Sequence, residues 1–184
     1  MRLNIFSFLI LLSMSQSHAL PAIDGVKTVE TREIKYRGGL VTFSIPKHWV
    51  EEYEPEGGGT FYEDGPNTGT LRINVITMKS PTPVTANSGI AALSGLEDVK
   101  PLEIENLPSG NAVAKFVRRS TEQGQAITLY WWYVAQSIPP QHVRTAMFSY
   151  TILTSSENSS DSAAQLQLLD KSIRNATFHP TLGE

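Results

Sequence analysis

The segment from Pro46 to Gly59 carries the side chains best suited to chemistry. One histidine and four glutamates fall within nine residues of it: His48, Glu51, Glu52, Glu54 and Glu56. Hard cations bind several carboxylate oxygens, but an EF-hand loop alternates Asp and Asn around an obligatory glycine, and this run does not. Runs of like charge usually form a solvated edge. We therefore interpret the glutamates as an exposed connection between two strands, and expect these five side chains to bind a protein partner rather than a metal.

The sequence contains none of the residue spacings that mark common catalytic sites. His48, His142 and His179 form neither an H-x-x-x-H pair nor an H-E-x-x-H helix, so the local ligand spacing of zinc proteases is missing. There is no G-x-S-x-G elbow, no Walker A loop and no G-x-G-x-x-G turn. The acidic residues are scattered, and no pair is singled out for glycoside hydrolysis. The sequence therefore predicts a protein that is not an enzyme and has no cofactor, and metal analysis tests the alternative of a metal-dependent hydrolase.

A run of aromatic residues, Tyr130 to Tyr133, is the second feature with chemical potential. The strand that contains it, residues 129–134, is apolar or aromatic on both faces, which is typical of a central strand covered on each side. The alternative is an aromatic ligand pocket, in which Tyr130 and Trp132 contact a small apolar ligand or lipid. Several basic residues fall on neighbouring predicted strands, and we interpret them as solvated charges in preference to a patch for an acidic partner: Arg72, Lys115, Arg118, Arg119 and Arg144.

The first nineteen residues have the layout of a secretory signal peptide. Arg2 precedes an apolar run at residues 5–12, and Ser17-His18-Ala19 supplies a cleavage signal. The apolar run is too short to span a bilayer, so we expect cleavage after Ala19, no stable membrane anchor, and a periplasmic or secreted protein. Without Arg2, 14 of the 15 basic residues remain against 18 acidic residues, a net charge of −4 with no basic run that would bind nucleic acid. The chain has no cysteine, which excludes disulfides, lipoprotein acylation and thiolate chemistry.

Alternating apolar residues predict a mainly β protein. Val41, Phe43 and Ile45, for example, share one face of a strand that we expect to end at Pro46. Dense turn formers at residues 64–69 predict a hairpin between the strands on either side. Strands are predicted at residues 27–36, 40–45, 60–63, 71–77, 102–105, 111–119, 126–136 and 142–153.

Two segments have helical spacing instead. A short helix is predicted at residues 87–96 and a longer one at 161–177, with Ser160 or Asp161 as its N-cap and Phe178 closing the packing. The apolar stripe of the longer helix consists of Ala164, Leu166, Leu169, Ile173 and Ala176. These elements predict an α+β fold, an α/β sandwich in which two helices cover an antiparallel sheet of about six to seven strands.

Three phrases of the sequence add a family resemblance. They are Phe43-Ser44-Ile45-Pro46-x-x-Trp49, Gly57-Gly58-Gly59 leading into Phe61, and Gly69-x-Leu71-x-Ile73-x-Val75. In this order, with a C-terminal helix, they resemble the Mog/PsbP-like fold over residues 28–178. The resemblance implies an α/β sandwich that serves as a binding or assembly module, and no catalytic motif of the family can be matched to residues here.

The predicted organisation is a signal peptide at residues 1–19, a loose arm at 20–27, one domain at 28–178 and a tail at 179–184. We expect a non-catalytic binding or accessory protein of the bacterial envelope that acts through a protein partner. One specific form is an immunity-type inhibitor that shields the cell from an exported toxin. The alternative is a carrier of a small apolar ligand or lipid.

Overall fold

The computed structural model describes residues 29–96 and 103–181. The predicted signal peptide, the predicted arm at residues 20–27 and the last three residues of the tail lie outside the described residues. No helix within the two described ranges is long and apolar enough to cross a bilayer.

The described chain forms ten strands and two α-helices. The first five strands are β1 (Thr31–Tyr36), β2 (Val41–Pro46), β3 (Val50–Tyr53), β4 (Gly59–Tyr62) and β5 (Thr70–Lys79). After helix α1 (Ser88–Ser94) come β6 (Ile104–Asn106), β7 (Ala112–Glu122), β8 (Gln125–Ile138) and β9 (His142–Leu153). Helix α2 (Ser160–Arg174) and the short β10 (Thr177–Phe178) complete the described fold.

Seven of the strands form one antiparallel sheet in the order β3-β4-β5-β9-β8-β7-β6. Its centre is the long meander of β7, β8 and β9, in which Trp132 lies opposite Lys115 on one side and Phe148 on the other. The predicted hairpin between β4 and β5 is confirmed by pairs such as Phe61 with Leu71. The remaining strands form a separate sheet in the order β1-β2-β10.

The main core lies between the two sheets. Phe43 of β2 meets the rings of Phe61 and Phe148 edge-on, at centroid distances of 5.4 and 5.1 Å. Helix α2 lies on the same side of the large sheet and buries Leu169 and Ile173 in this core. The side chain of Trp49 is buried in the same core, as is that of Phe178, which was predicted to close the packing.

The opposite face of the seven-stranded sheet, directed away from the three-stranded sheet, is called the outer face below. Helix α1 covers one end of it, where Leu93 packs in a second, smaller core with Ala112, Ala135 and Val143. The prediction of an α+β fold with two covering helices is thus confirmed, with one helix on each face of the large sheet. The predicted cover on both faces of β8 is only partial, because Trp131 and Tyr133 on the outer face are partly exposed.

Four local expectations are wrong. Residues 50–53, predicted as part of a connection, form strand β3 at the edge of the large sheet, and Pro46 belongs to β2 instead of following it. The N-cap of α2 is Ser159, whose side chain accepts a hydrogen bond from the Ser162 backbone N–H. Ala164, placed on the apolar stripe, is exposed, because α2 turns that side away from the core.

The glycines at residues 57–59 shape the β3–β4 connection. Gly57 has φ = 99°, a left-handed conformation that favours glycine. At Gly59 an added Cβ would lie 3.0 Å from both the Tyr36 ring and the Ile73 side chain, so only glycine lets the strand approach them this closely.

Candidate functional site

Three aromatic side chains stand next to each other on the outer face, beyond the part that α1 covers. Phe116 of β7 lies directly opposite Trp131 of β8, and their rings are parallel within 5° at a centroid distance of 6.0 Å. Tyr133 meets both rings at steep angles, 5.5 Å from Phe116 and 5.9 Å from Trp131. All three are partly exposed. This group is called the aromatic ridge.

Beside the ridge the outer face forms an open depression of about 360 Å³. Its position follows from the sheet register, because Ser149 of β9 separates Trp131 of β8 from Arg72 of β5. In the next row Met147 separates Tyr133 from Asn74 in the same way. The lining therefore combines aromatic, small, flexible and charged side chains, with Glu54 and Gly58 at the end nearest the β3–β4 turn.

Arg72 is exposed, and within residues 29–96 and 103–181 its guanidinium has no ion-pair or hydrogen-bond partner. The other basic residues of the same predicted strands already have contacts within the fold. Lys115 pairs with Asp170 at 2.7 Å and Arg119 with Glu157 at 2.9 Å, both on the α2 side of the sheet. Arg118 lies with its Cζ atom 5.4 Å from the centre of the Phe116 ring. Arg72 is therefore the cation in this set that remains available to a partner.

Arg144, the last of the five, lies in the interior. Its side chain is fully buried, and its nitrogens donate to Thr77 Oγ1 at 3.1 Å and to the carbonyls of His179 and Thr181 at 2.8 and 3.0 Å. Burial lowers the pKa of its guanidinium. Arg144 thus attaches the chain after β10 to the large sheet, and it contributes nothing to a surface patch.

The acidic side chains predicted to bind a partner lie along the β3 edge and the turn that follows it. Glu51 pairs with Arg32 at 2.6 Å, and Glu52 accepts a hydrogen bond from the Tyr62 hydroxyl at 2.8 Å. His48 lies apart from them, with Nε2 3.5 Å from Glu63 Oε1. The five predicted side chains therefore do not converge on one point.

Glu54 is the member of the segment that reaches the depression. It begins the turn that closes when its backbone N–H donates to the Gly58 carbonyl at 2.9 Å, and its carboxylate lies over Gly58. Glu56, also in this turn, is exposed. One end of the acidic segment therefore lies beside the aromatic ridge, although the two features are far apart in the sequence.

The two aromatics proposed for a ligand pocket point the other way, toward α2. Trp132 is fully buried, and its Nε1 donates to Asp170 Oδ1 at 2.8 Å. The Tyr130 hydroxyl donates to Glu157 Oε1 at 3.3 Å, and burial together with this carboxylate raises the pKa of Tyr130. Both polar groups are satisfied within the fold, whereas Trp131 Nε1 is buried without a hydrogen bond to any described residue.

A second, wider groove of about 900 Å³ runs between α2 and the outward side of the three-stranded sheet. Its lining combines short polar side chains, such as Thr31, Thr42 and Thr177, with the apolar Val29 and Leu168. It also includes Phe43, which is buried in the main core, and the exposed Lys171. In the described part of the chain, no three His, Asp or Glu side chains are arranged to hold a metal ion.

No family model matches the sequence, and no curated protein matches it. Two of the solved structures that match the fold have TM-scores above 0.5. One is a protein from Bacteroides thetaiotaomicron, with a TM-score of 0.58 at 16% identity. The match covers 83% of this chain but only about half (49%) of that protein. The other is LpqN, described as involved in cell envelope biogenesis of Mycobacterium tuberculosis, with a TM-score of 0.52 at 12% identity over 82% of this chain and 91% of LpqN.

A cyanobacterial PsbP from Synechocystis also matches, at 11% identity over 87% of this chain and 99% of that protein. Its TM-score is 0.34. The likeness to the first two structures agrees with the α/β sandwich that the sequence resemblance implied. At these identities the likeness concerns the fold, and function has to be argued from the site.

Proposed function

We propose that this chain is a non-catalytic binding protein of the bacterial cell envelope that docks a protein partner on its outer face. The observation that carries the proposal is the partly exposed aromatic ridge beside an exposed Arg72 that has no ion-pair partner among the described residues. Trp, Tyr and Arg are the residues that most often dominate binding energy at protein interfaces. Here they stand on strands of a large sheet, which holds them rigidly without any partner.

Two further points support the envelope part of the proposal. The first nineteen residues have the pattern of a secretory signal peptide. LpqN, which shares the fold, is described as involved in cell envelope biogenesis. An extracytoplasmic location, periplasmic or secreted, accounts for both.

Part of the acidic segment supplies the rim of the same docking surface. Glu54 adjoins the depression, and Glu52 lies beyond it on the same face of the exposed β3 edge, whereas Glu51 points to the other face and pairs with Arg32. His48 and Glu56 extend this rim on either side. Since Glu51 and Glu52 already have partners in Arg32 and Tyr62, they contribute mainly by steering a partner of opposite charge. Inhibition of an exported toxin, as in an immunity protein, is one form that such docking takes.

Affinity capture from envelope extract tests the proposal. One bait is the double variant Arg72→Ala with Trp131→Ala, which changes the outer face. The matched control is Val117→Ser, at an exposed position on the other face of β7. We expect the wild type and the control to retain the same polypeptide and the double variant to retain at least tenfold less, because hot-spot residues cost more than about 2 kcal/mol each when truncated. Thermal melts of the baits check that all are folded.

Equal capture by all three baits would contradict docking on the outer face. Native mass spectrometry of the protein purified from the envelope separates the other class of function. A retained small molecule instead of a polypeptide would favour the carrier alternative built on Tyr130 and Trp132.

A further inference from the structure

The depression beside the aromatic ridge has the shape of a slot for one planar group. We propose that it receives an aromatic side chain of the partner together with an adjacent carboxylate, the ring stacking on Trp131 and the carboxylate pairing with Arg72. This inference rests on the proposed docking function and specifies the chemistry that the partner presents.

The width of the slot follows from the sheet. Ser149 lies directly between Arg72 on β5 and Trp131 on β8. Neighbouring strands are about 4.8 Å apart, so the side chains on either side of Ser149 rise from positions about 9.6 Å apart. A planar group in van der Waals contact with both walls needs about 7 to 8 Å. Because Ser149 is small and buried, the space above it admits one ring.

The two walls offer different chemistry. One face of the Trp131 indole is taken by the parallel ring of Phe116, so its other face is turned toward β9 and the slot. The opposite wall is the guanidinium of Arg72, which has no ion-pair partner in the described part of the chain. An aromatic ring is favoured against both walls, by stacking on the indole and by cation–π attraction to the arginine.

The second row of the slot fixes where the carboxylate goes. Met147 forms a flexible, polarisable floor between Tyr133 and Asn74, suited to rings of different shape. Glu54 borders this row and repels a negative charge there. The carboxylate of the partner is therefore directed to the Arg72 end, and backbone N–H donors of the partner are directed toward Glu54.

An NMR titration of the full mature protein tests the slot with defined probes. The chain has three tryptophans, so it gives three indole N–H signals, and Trp131→Phe identifies the one of interest. The probes are unlabelled N-acetyl-L-tryptophan, which has the ring and the carboxylate, and N-acetyl-L-tryptophanamide, which has the ring alone. We expect the acid to shift the Trp131 signal saturably, leaving Trp49 and Trp132 unchanged, and the amide to bind roughly fivefold more weakly, as for loss of an exposed ion pair.

Two variants locate the contacts. Arg72→Gln should abolish the difference between acid and amide, and Ser149→Phe should abolish binding of both by filling the slot with a ring. Val117→Ser, on the other face, should bind like the wild type. If Ser149→Phe does not fold, Arg72→Gln still decides, because Arg72 is exposed.

The inference is overturned if no saturable shift occurs at Trp131, if acid and amide bind equally, or if the folded Ser149→Phe variant binds the probes normally. Its failure is distinguishable from failure of the docking proposal. Partner capture that is lost in the Arg72 and Trp131 double variant, with no binding of the acid probe, would overturn the slot and retain the docking surface. Capture that is independent of Arg72 and Trp131 would overturn both.

Discussion

Asp170 shows how one carboxylate joins helix α2 to the large sheet. Its Oδ1 accepts hydrogen bonds from Lys115 Nζ at 2.7 Å and from Trp132 Nε1 at 2.8 Å. Burial raises the pKa of Asp170, but these two hydrogen bonds and the charge of Lys115 outweigh it, so the pKa lies below its usual value. The ionised form therefore stabilises the folded state.

We predict that Asp170→Ala lowers the free energy of unfolding at pH 7 by about 1 to 3 kcal/mol, because it leaves the buried Trp132 N–H without an acceptor. Lys115→Met, which removes the partly exposed ion pair but keeps the indole hydrogen bond, should cost less than about 1 kcal/mol. Urea unfolding of both variants measures the difference. Equal losses would show that the indole hydrogen bond is not what stabilises this contact.

The same pKa shift gives a pH dependence with a defined sign. Because the pKa of Asp170 is lower in the folded state, its ionised carboxylate stabilises the fold at pH values above the ordinary aspartate pKa of 3.8. This contribution is lost as the pH falls through the lower pKa of the folded state. The advantage of the wild type over Asp170→Ala should therefore be constant near neutral pH and shrink in acid below pH 3.8. A gap that stays constant down to that acid range would contradict an ionised Asp170.

At the residue scale, the sequence identified the correct residue types but not the face on which each lies. Tyr130 to Tyr133 is apolar on both faces, so alternation alone does not tell which pair meets the core. The structure turns Trp131 and Tyr133 outward, and the even-numbered pair toward α2. Arg144 is a similar case, since a basic residue on a strand gives no sign in the sequence that its partners are backbone carbonyls far along the chain.

Among the elements, strand β2 has an edge that β10 covers only in part. β10 pairs with β2 at Val41 and Thr42, so on that edge no strand lies beside Ser44, whose other side pairs with β1. Ser172 of α2 takes the place of that strand. Its hydroxyl oxygen accepts from the Ser44 N–H and its hydroxyl donates to the Ser44 carbonyl, both at 2.7 Å.

We predict that Ser172→Ala lowers the free energy of unfolding by about 1 to 3 kcal/mol, because two part-buried backbone groups of Ser44 lose their partner. Ser172→Thr keeps the hydroxyl and should recover most of the loss. Ser160→Ala, at an exposed position of the same helix, should change stability by no more than about 0.5 kcal/mol. Urea unfolding of the three variants tests this, and a threonine variant as unstable as the alanine variant would count against the bridging role.

Strand β3 shows why one element escaped prediction. Residues 50–53 include two adjacent glutamates, and glutamate is depleted in strands. All four residues are exposed, so no alternation of apolar and polar residues marks the strand. Charged residues are common on the edge strands of sheets, where they discourage pairing with other chains. The edge position of β3 therefore explains why its sequence lacks the pattern of a half-buried strand.

At the scale of the whole molecule, the α+β class followed from the sequence, whereas the number of strands and their division into two sheets did not. The β1–β2 hairpin has the same period-two pattern whether it extends the large sheet or packs across its face. The core decides between these, since Phe43 packs on Phe148 from the opposite sheet. Because the three-stranded sheet and α2 together cover one face, α1 is the one helix of the described residues that covers the other, and it is too short to reach the aromatic ridge.

The predicted export of the protein provides the last test, since the docking proposal places its partner in the envelope. We expect the protein isolated from the envelope or culture medium to begin at Leu20, with the mass of residues 20–184, because Ser17-His18-Ala19 matches the small-residue pattern that signal peptidase cleaves. Intact mass spectrometry after fractionation measures this directly, and Ala19→Arg, which places a large charged residue at the cleavage position, should leave the longer precursor associated with the membrane. Full-length protein recovered from the cytoplasmic fraction, in the wild type and the variant alike, would contradict export and would move the search for a partner to the cytoplasm.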